Sequence, residues 1–377
     1  MKIAFFGDVH LGNHKRAGGE ILAGLNARCL QSLRAFRKAI TLCIDQGCKI
    51  AVITGDLFDY DRPEAQLITK VQEILASIPP DFVIYCMVGN HDQRSELIGD
   101  HALGPISGLV QVIDQPYSTL ITVDTVNGKP FNAVLDIIPF TSKPAIDALQ
   151  EYQVARSKSP YPANLPRVLA MHFGLQTKDI TPPWLLDAKD GVNVERVLLP
   201  MCQKYNIAAV FAGHYHSGGQ HTIPDSLPIA TQCGALVPTG WDNPGAGYGN
   251  VWILDIQGEG IDATLHRVPG PRFLSDMDDV RLCNEDDNIY LSVIGENQDS
   301  IRDMVSTGKL AYGEVLPAVS KTKLQDGLNK TKGLVTIDIA IKDFIERWYG
   351  DTTTLPPGIT KEAITSRVRK YLAGAQS

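Results

Sequence analysis

Five short stretches, each placed where an apolar run gives way to a turn, carry side chains that bind metal ions: GDVH at 7–10, GDLFD at 55–59, GNHD at 89–92, MHFG at 171–174 and GHYH at 213–216. Residues at the carboxyl ends of several strands converge on one edge of a sheet, where functional sites of α/β proteins lie. A chain with five such ends is therefore expected to bring them together. Gly7, Gly55, Gly89 and Gly213 directly precede these ligands, and glycine there permits turns closed to other residues and lets backbone approach an ion. In GHYH, extended chain would point His214 and His216 to the same face, toward a common ligand.

The donors are Asp8, His10, Asp56, Asn90, His172, His214 and His216. Oxygen and imidazole nitrogen without thiolate suit manganese, iron or zinc rather than a structural cysteine-rich zinc site. Seven ligands exceed what one ion takes. They suit two ions about 3.5 to 4 Å apart that share a carboxylate, which activates water and clamps both oxygens of a phosphoryl displacement.

The surrounding pattern is that of an α/β fold. KIAFF, IAVIT and DFVIYCMV read as strands, separated by helical patterns over 20–46 and in PEAQLITKVQEILASI. LITV, FNAVLDIIPF, RVLAMHF, IAAVFAG and NVWILDI follow as further apolar runs, giving one large mixed sheet or two packed sheets. HRVPGPRFLSDMDD at 266–279 interrupts the pattern with prolines and acids and predicts a domain boundary. Beyond it, NIYLSVIG, NQDSIRDMVSTG and GLVTIDIA read as strand, helix and strand. After these, Ile341, Phe344, Ile345, Trp348 and Tyr349, and past the linker DTTTLPPG, Ile364, Val368, Tyr371 and Leu372, predict two amphipathic helices. The expected domains are 1–270, a small α+β module at 280–338 and a helical tail at 339–377.

Composition narrows the class. A formal net charge of −7 argues against a basic nucleic-acid footprint. The argument is weak here, because carboxylates that bind cations count as negative although the loaded site is locally positive. Seven cysteines form no C-x-x-C pair, and reduced, buried thiols in a cytoplasmic protein are expected. MKIAFFGDVH is too short in its apolar run for a signal peptide, and no segment reaches the length of a membrane span.

The ordered set D-x-H, G-D-x-x-D, G-N-H-D, H and G-H-x-H resembles the calcineurin-like metallophosphoesterases over residues 1 to 270. The resemblance implies a four-layer α/β/β/α sandwich in which Asp8, His10 and His216 bind one metal, Asn90, His172 and His214 the other, and Asp56 bridges them. His91, adjacent to the ligand Asn90 and so near the metals, is the candidate general acid; the resemblance implies that Asp59 orients it, with Asp92 as the competing orienter. GDVHLG, GDLFD and the two-part C-terminal extension further resemble SbcD-type nuclease subunits. That implies a Mn2+-dependent exonuclease and endonuclease acting on DNA ends, hairpins or single strands. Residues 280–338 would be a capping module and 339–377 the helices that dock an SbcC-like ATPase, in a homodimer. A phosphodiesterase or phosphatase acting on small molecules or proteins is the competing function; a scaffold without catalysis fits poorly, since all seven ligands are present.

Other residues have plainer readings. His14, His101, His221 and His266 read as loop or surface histidines, with substrate contact as the alternative for His14 in the HLGNHK loop. Trp241 and Tyr248 read either as a wall facing substrate or as aromatics covering a core edge, and Arg62 as a phosphate contact or a solvated charge.

Overall fold

The computed structural model describes residues 1–316 apart from 125–129, 178–180, 182–187, 222–227, 242–247, 258–259 and 295–297. GLVTIDIA, the linker after it and both C-terminal amphipathic helices lie outside the described residues.

Strands β1 (Lys2–Phe6), β2 (Ile50–Ile53), β3 (Val83–Met87) and β4 (Gln111–Ile113) run parallel in one sheet. Their connections carry helices α1 (Ala27–Asp45) and α2 (Ala65–Ala76). A second sheet contains β5 (Tyr117–Asp124), β6 (Pro130–Ile138), β7 (Arg167–Met171), β8 (Ile207–Ala212), β9 (Gly219–Gln220) and β10 (Ile229–Gln232). Its helices are α3 (Ala145–Ser157) and α4 (Leu199–Tyr205). Strands β11 (Asn250–Gln257) and β12 (Gly260–Arg267) return to the first sheet, completing the orders β12-β11-β1-β2-β3-β4 and β9-β10-β8-β7-β6-β5.

Two-sided burial explains why the central strands are continuous apolar runs rather than alternating ones. In β1, Ile3 and Phe5 enter the core between the sheets, whereas Ala4 and Phe6 join the cluster with Cys29, Leu33 and Phe36 of α1. In β8, Ala209 and Phe211 face inward, and Val210 and Ala212 pack with Leu149 of α3 and Met201 of α4. The rings of Phe5 and Phe211 stack across the interface with centroids 3.9 Å apart. Two sheets with helices outside each make four layers, as the resemblance implies. Asn26 starts α1 by accepting from the Cys29 amide at 2.8 Å, the usual way of satisfying a free donor at a helix start.

The segment expected as a boundary is itself structured. Pro271–Leu274 forms β13, pairs in parallel with β14 (Asn288–Ile294), and completes a third sheet with β15 (Tyr312–Leu316). Helix α5 (Gln298–Ser306) places Ile301 against Ile289, Leu291 and Val293. A proline is compatible with a strand here because Pro271 opens it, a position that needs no ladder donor. All seven cysteines are free thiols, six of them buried. No helix among the described residues is long and apolar enough to cross a membrane.

One buried ion pair joins β6, β7 and α3. Arg167 and Asp136 are both fully buried, and Arg167 Nη1 donates to both Asp136 oxygens at 2.8 and 2.6 Å. Tyr152 from α3 donates to the same carboxylate at 2.8 Å. Removing one member strands the other charge in the interior, a loss of roughly 3–5 kcal/mol. Asp136→Ala is therefore expected to lower the free energy of unfolding by that amount with metal content per folded chain unchanged, measured by equilibrium denaturation and metal analysis.

Candidate metal centre

All five motifs lie just past the carboxyl ends of parallel strands: Asp8 after β1, Asp56 after β2, Asn90 after β3, His172 after β7 and His214 after β8. The turns are stitched to one another. Asp8 N donates to Gly55 O at 3.0 Å and His10 N to Asp56 O at 3.1 Å. The Asp8 carboxylate accepts from the His214 amide at 3.0 and 3.2 Å, and Asp56 Oδ1 from the His91 amide at 2.8 Å.

Backbone strain concentrates here. Asp8, His10, Asp56 and His214 all have positive φ, between 47° and 81°, a region non-glycine residues enter at a cost that surrounding structure must hold. The glycines serve mainly close approach between motifs. At Gly55 (φ +97°) a Cβ would sit 2.1 Å from His172 Nδ1, and at Gly89 one would sit 2.2 Å from Asp56 Oδ1. Each ligand thus occupies room that a neighbouring motif's glycine vacates.

The donors gather in two groups, Asp8 with His10 and His216, and Asp56 with His172 and His214, each with ligand atoms within 4.8 Å of one another, and a third group of His10, Asp56 and His91 links them. His10 Nε2 lies 3.0 Å from His216 Nε2 and 3.9 Å from Asp56 Oδ2. His172 Nε2 lies 3.0 Å from Asn90 Oδ1 and 3.3 Å from Asp56 Oδ2, and His214 Nδ1 lies 2.9 Å from Asn90 Oδ1. Adjacent ligands at about 2.1 Å from one ion, at right angles, stand about 3 Å apart. The residues therefore fit two divalent cations, with Asp56 within reach of both groups. Such ions supply Lewis acidity and an activated water when bound.

His214 and His216 do not share a face. Strand β8 ends at Ala212, and the left-handed backbone at His214 (φ 81°) turns its ring toward Asn90, whereas His216 meets His10. The extended-chain expectation fails because the motif is a turn.

The outward nitrogen of three histidines is held. Thr54 O accepts from His172 Nδ1 at 2.6 Å, leaving Nε2 for the centre. His10 Nδ1 meets Asp59 Oδ1 at 3.2 Å, and His214 Nε2 meets Asp190 Oδ2 at 2.6 Å. Such partners fix tautomer and ring orientation. Asp190 is not marked in the sequence, since it lies in AKDGVN, away from every motif.

His91 is exposed, its ring edge-on to His10 with centroids 4.7 Å apart. Its Nδ1 donates to the main-chain oxygen of Asp59 at 2.9 Å, so Nε2 is left for substrate. Neither carboxylate expected to orient His91 meets its ring: Asp59's faces His10 and His14, and Asp92's accepts the amides of Phe58 and Gly89 at 3.0 Å and Leu57 at 3.3 Å. Asp92 thereby ties the second turn to the third. His10, Asp56 and His91 also form a group of metal-binding reach.

Charge in the centre is strongly coupled. Burial pulls the His172 pKa down, but the Asp56 carboxylate more than reverses this and raises it to about 9. Burial raises Asp56, yet His172 and then His10 hold it well below the usual carboxylate range. Burial, then Asp56, pushes Asp92 up to about 7, and burial lowers His216 to about 4.

Of the remaining histidines, only His14 joins the centre, with Nδ1 3.4 Å from Asp59 Oδ2 and Nε2 donating to His10 O at 3.2 Å. It lies four positions beyond the first motif, in the HLGNHK loop. His101 pairs with Asp114 at 3.7 Å; His221 and His266 are half-buried. Trp241 donates to Leu274 O at 2.9 Å and packs edge-on to Phe273 while staying half-buried, and Tyr248 is buried. Arg62 is a solvated charge, 84% exposed. Phe140 stands against His172 and His214 at 6.2 and 6.1 Å, an apolar wall that no sequence motif announces.

A packed double sheet with a paired-cation site at its carboxyl edge defines a metal-dependent phosphoester hydrolase. The profile described as calcineurin-like phosphoesterase matches residues 1–218, and the chain belongs to that family. Among solved structures it is similar to GAP50 of Plasmodium, at 13% identity over 71% of this chain and 84% of that one, with a TM-score of 0.48. It is also similar to the calcineurin-like phosphoesterase YfkN of Bacillus subtilis (11% identity, 71% and 90% covered, TM-score 0.43). A dimetal phosphatase of Danio rerio matches at 12% identity, with 71% and 96% covered and a TM-score of 0.44.

Proposed function

We propose that the chain is the nuclease subunit of an SbcD-type complex, hydrolysing DNA phosphodiester bonds in the processing of ends and hairpins with Mn2+ in the paired sites. Asp8, His10, Asp56, Asn90, His172, His214 and His216 hold the ions, and His91 Nε2 protonates the leaving alkoxide. One observation carries the choice of DNA over small esters: the third sheet is fastened to the loop that follows the first metal motif. Arg16 in that loop donates to Glu314 Oε1 at 2.9 Å, and Arg28 lies 4.5 Å from the Phe273 ring centroid. Gln31 on α1 accepts from Tyr290. A small module so placed suits a polymer laid beside the ions, and in this reading residues 280–338 cap the substrate and the helices of 339–377 dock an SbcC-like ATPase in a dimeric assembly.

The test is Mn2+-dependent cleavage of duplex ends, hairpins and single strands, compared with bis(p-nitrophenyl) phosphate. Cleavage of DNA supports the reading. Hydrolysis confined to small esters, with or without an ATPase partner, leaves a phosphodiesterase or phosphatase of small substrates.

A further inference from the structure

Beside the metal centre lies a cleft of about 520 Å3 whose lining includes His14, Lys15, Arg16, Arg28, Glu64 and Trp241. It shares a wall with the catalytic edge, because His14 contacts Asp59, which in turn meets the ligand His10. The charges in it are unbalanced. Arg16 is paired with Glu314 and lies 4.6 Å from the Trp241 ring centroid. Arg28, only 2% exposed, has no carboxylate within salt-bridge distance among the described residues. It donates to the carbonyls of Arg16, Pro238 and Thr239, at 3.2, 3.4 and 2.6 Å, and its Nε has no hydrogen-bond partner among the described residues. Lys15 is exposed and likewise makes no ion pair there. Glu64 is the one carboxylate in the lining, beyond salt-bridge reach of Arg28.

A buried guanidinium is ordinarily paired, since removing its charge from water costs several kcal/mol that only an opposing charge or a full set of acceptors offsets. Carbonyl dipoles, the Phe273 face and the Asp59 carboxylate, whose charge acts on Arg28 from beyond salt-bridge distance, supply part of that here. Among the described residues no carboxylate comes within salt-bridge distance to complete the pairing, and the cleft leaves space for an anion of phosphate size.

We propose that this cleft is an anion subsite which takes, between Lys15 and Arg28, the phosphate neighbouring the scissile one. The inference rests on the nuclease reading for its substrate, a polynucleotide strand. It adds a specificity rule: substrates with a second phosphate one nucleotide away are preferred to isolated diesters. Arginine and lysine hold phosphate by charge-assisted hydrogen bonds, and removing either the phosphate or the side chain that holds it should be visible as about tenfold or more in kcat/KM.

The test compares a thymidine dinucleotide, a thymidine trinucleotide and bis(p-nitrophenyl) phosphate as substrates of the full chain with Mn2+. In the natural protein the trinucleotide is expected to exceed the dinucleotide by about tenfold or more in kcat/KM. Lys15→Gln and Arg28→Gln should each erase most of that ratio. Arg28 also holds the carbonyls of Pro238 and Thr239, so the exposed Lys15 provides the variant that does not disturb packing. Equal rates on the two oligonucleotides, or an unchanged ratio in Lys15→Gln, overturn the subsite. Should the natural protein cleave bis(p-nitrophenyl) phosphate and no DNA, the nuclease reading falls by itself. The anion site is then judged by inhibition with thymidine 3′,5′-bisphosphate: weakening by about tenfold in Lys15→Gln sustains it, and equal inhibition removes it.

Discussion

Asp56→Asn is expected to reduce bound manganese from two ions per chain to at most one and to lower turnover of bis(p-nitrophenyl) phosphate by about 10³-fold or more. Asp56 is the one carboxylate that belongs to both groups reaching toward the opposite half-sites, with His10 and His91 on one side and His172 and His214 on the other. Its Oδ2 stands 3.3 Å from His172 Nε2 and 3.9 Å from His10 Nε2. The amide substitution keeps size and shape but removes the negative charge that two cations would share. Losing the stabilisation of several kcal/mol that a metal pair gives a phosphoryl transition state corresponds to about three powers of ten. Metal analysis of the purified variant, with turnover measured at saturating Mn2+, decides the matter. Two ions retained with normal rate would show that Asp56 does not bridge.

The layering was legible in the sequence because burial on both faces leaves a distinctive trace. KIAFF and IAAVFAG are apolar at consecutive positions, as expected for central strands covered on each side. What pattern could not decide was whether one sheet or two resulted. That depends on pairings far apart in the chain, such as β1 with β11, which join Ile3 to Leu254 in register. The third sheet was half legible: its interior strand and helix carry ordinary periodicity, while Pro271–Leu274 hides behind a proline.

The donor set was legible because metal chemistry restricts residue type and strand topology restricts place. Orientation was not. Whether a histidine presents Nδ1 or Nε2 depends on its outer partner, and those partners, Thr54 O, Asp190 and Asp59 for His172, His214 and His10, come from elsewhere in the fold. The reversal of role at Asp59 is the clearest case. The resemblance places Asp59 beside His91, but only the turn's geometry shows that its main-chain oxygen meets His91 while its carboxylate meets His10. The glycines carried a second message for the same reason: the motifs interlock, which each motif taken alone cannot reveal.

That exchange of roles makes His91 and Asp59 separable by experiment. His91→Ala is expected to keep two ions and lower kcat on DNA by about 100-fold or more, the usual scale for loss of a general acid. The loss should be much smaller on bis(p-nitrophenyl) phosphate, whose nitrophenolate leaves without protonation. Asp59→Ala removes the hydrogen-bond partner of a ligand rather than a proton donor, so apparent Mn2+ affinity should fall by about 10- to 100-fold, and excess Mn2+ should restore rate on both substrates. His91 retains its contact in that variant, because the Asp59 main-chain oxygen at 2.9 Å is untouched. If His91→Ala instead loses an ion, the group of His10, Asp56 and His91 is a coordinating one and the proton must come from another donor. If Asp59→Ala reproduces the leaving-group dependence of His91→Ala at saturating Mn2+, the carboxylate acts through His91 after all, and the division of roles between main chain and side chain at this residue is wrong.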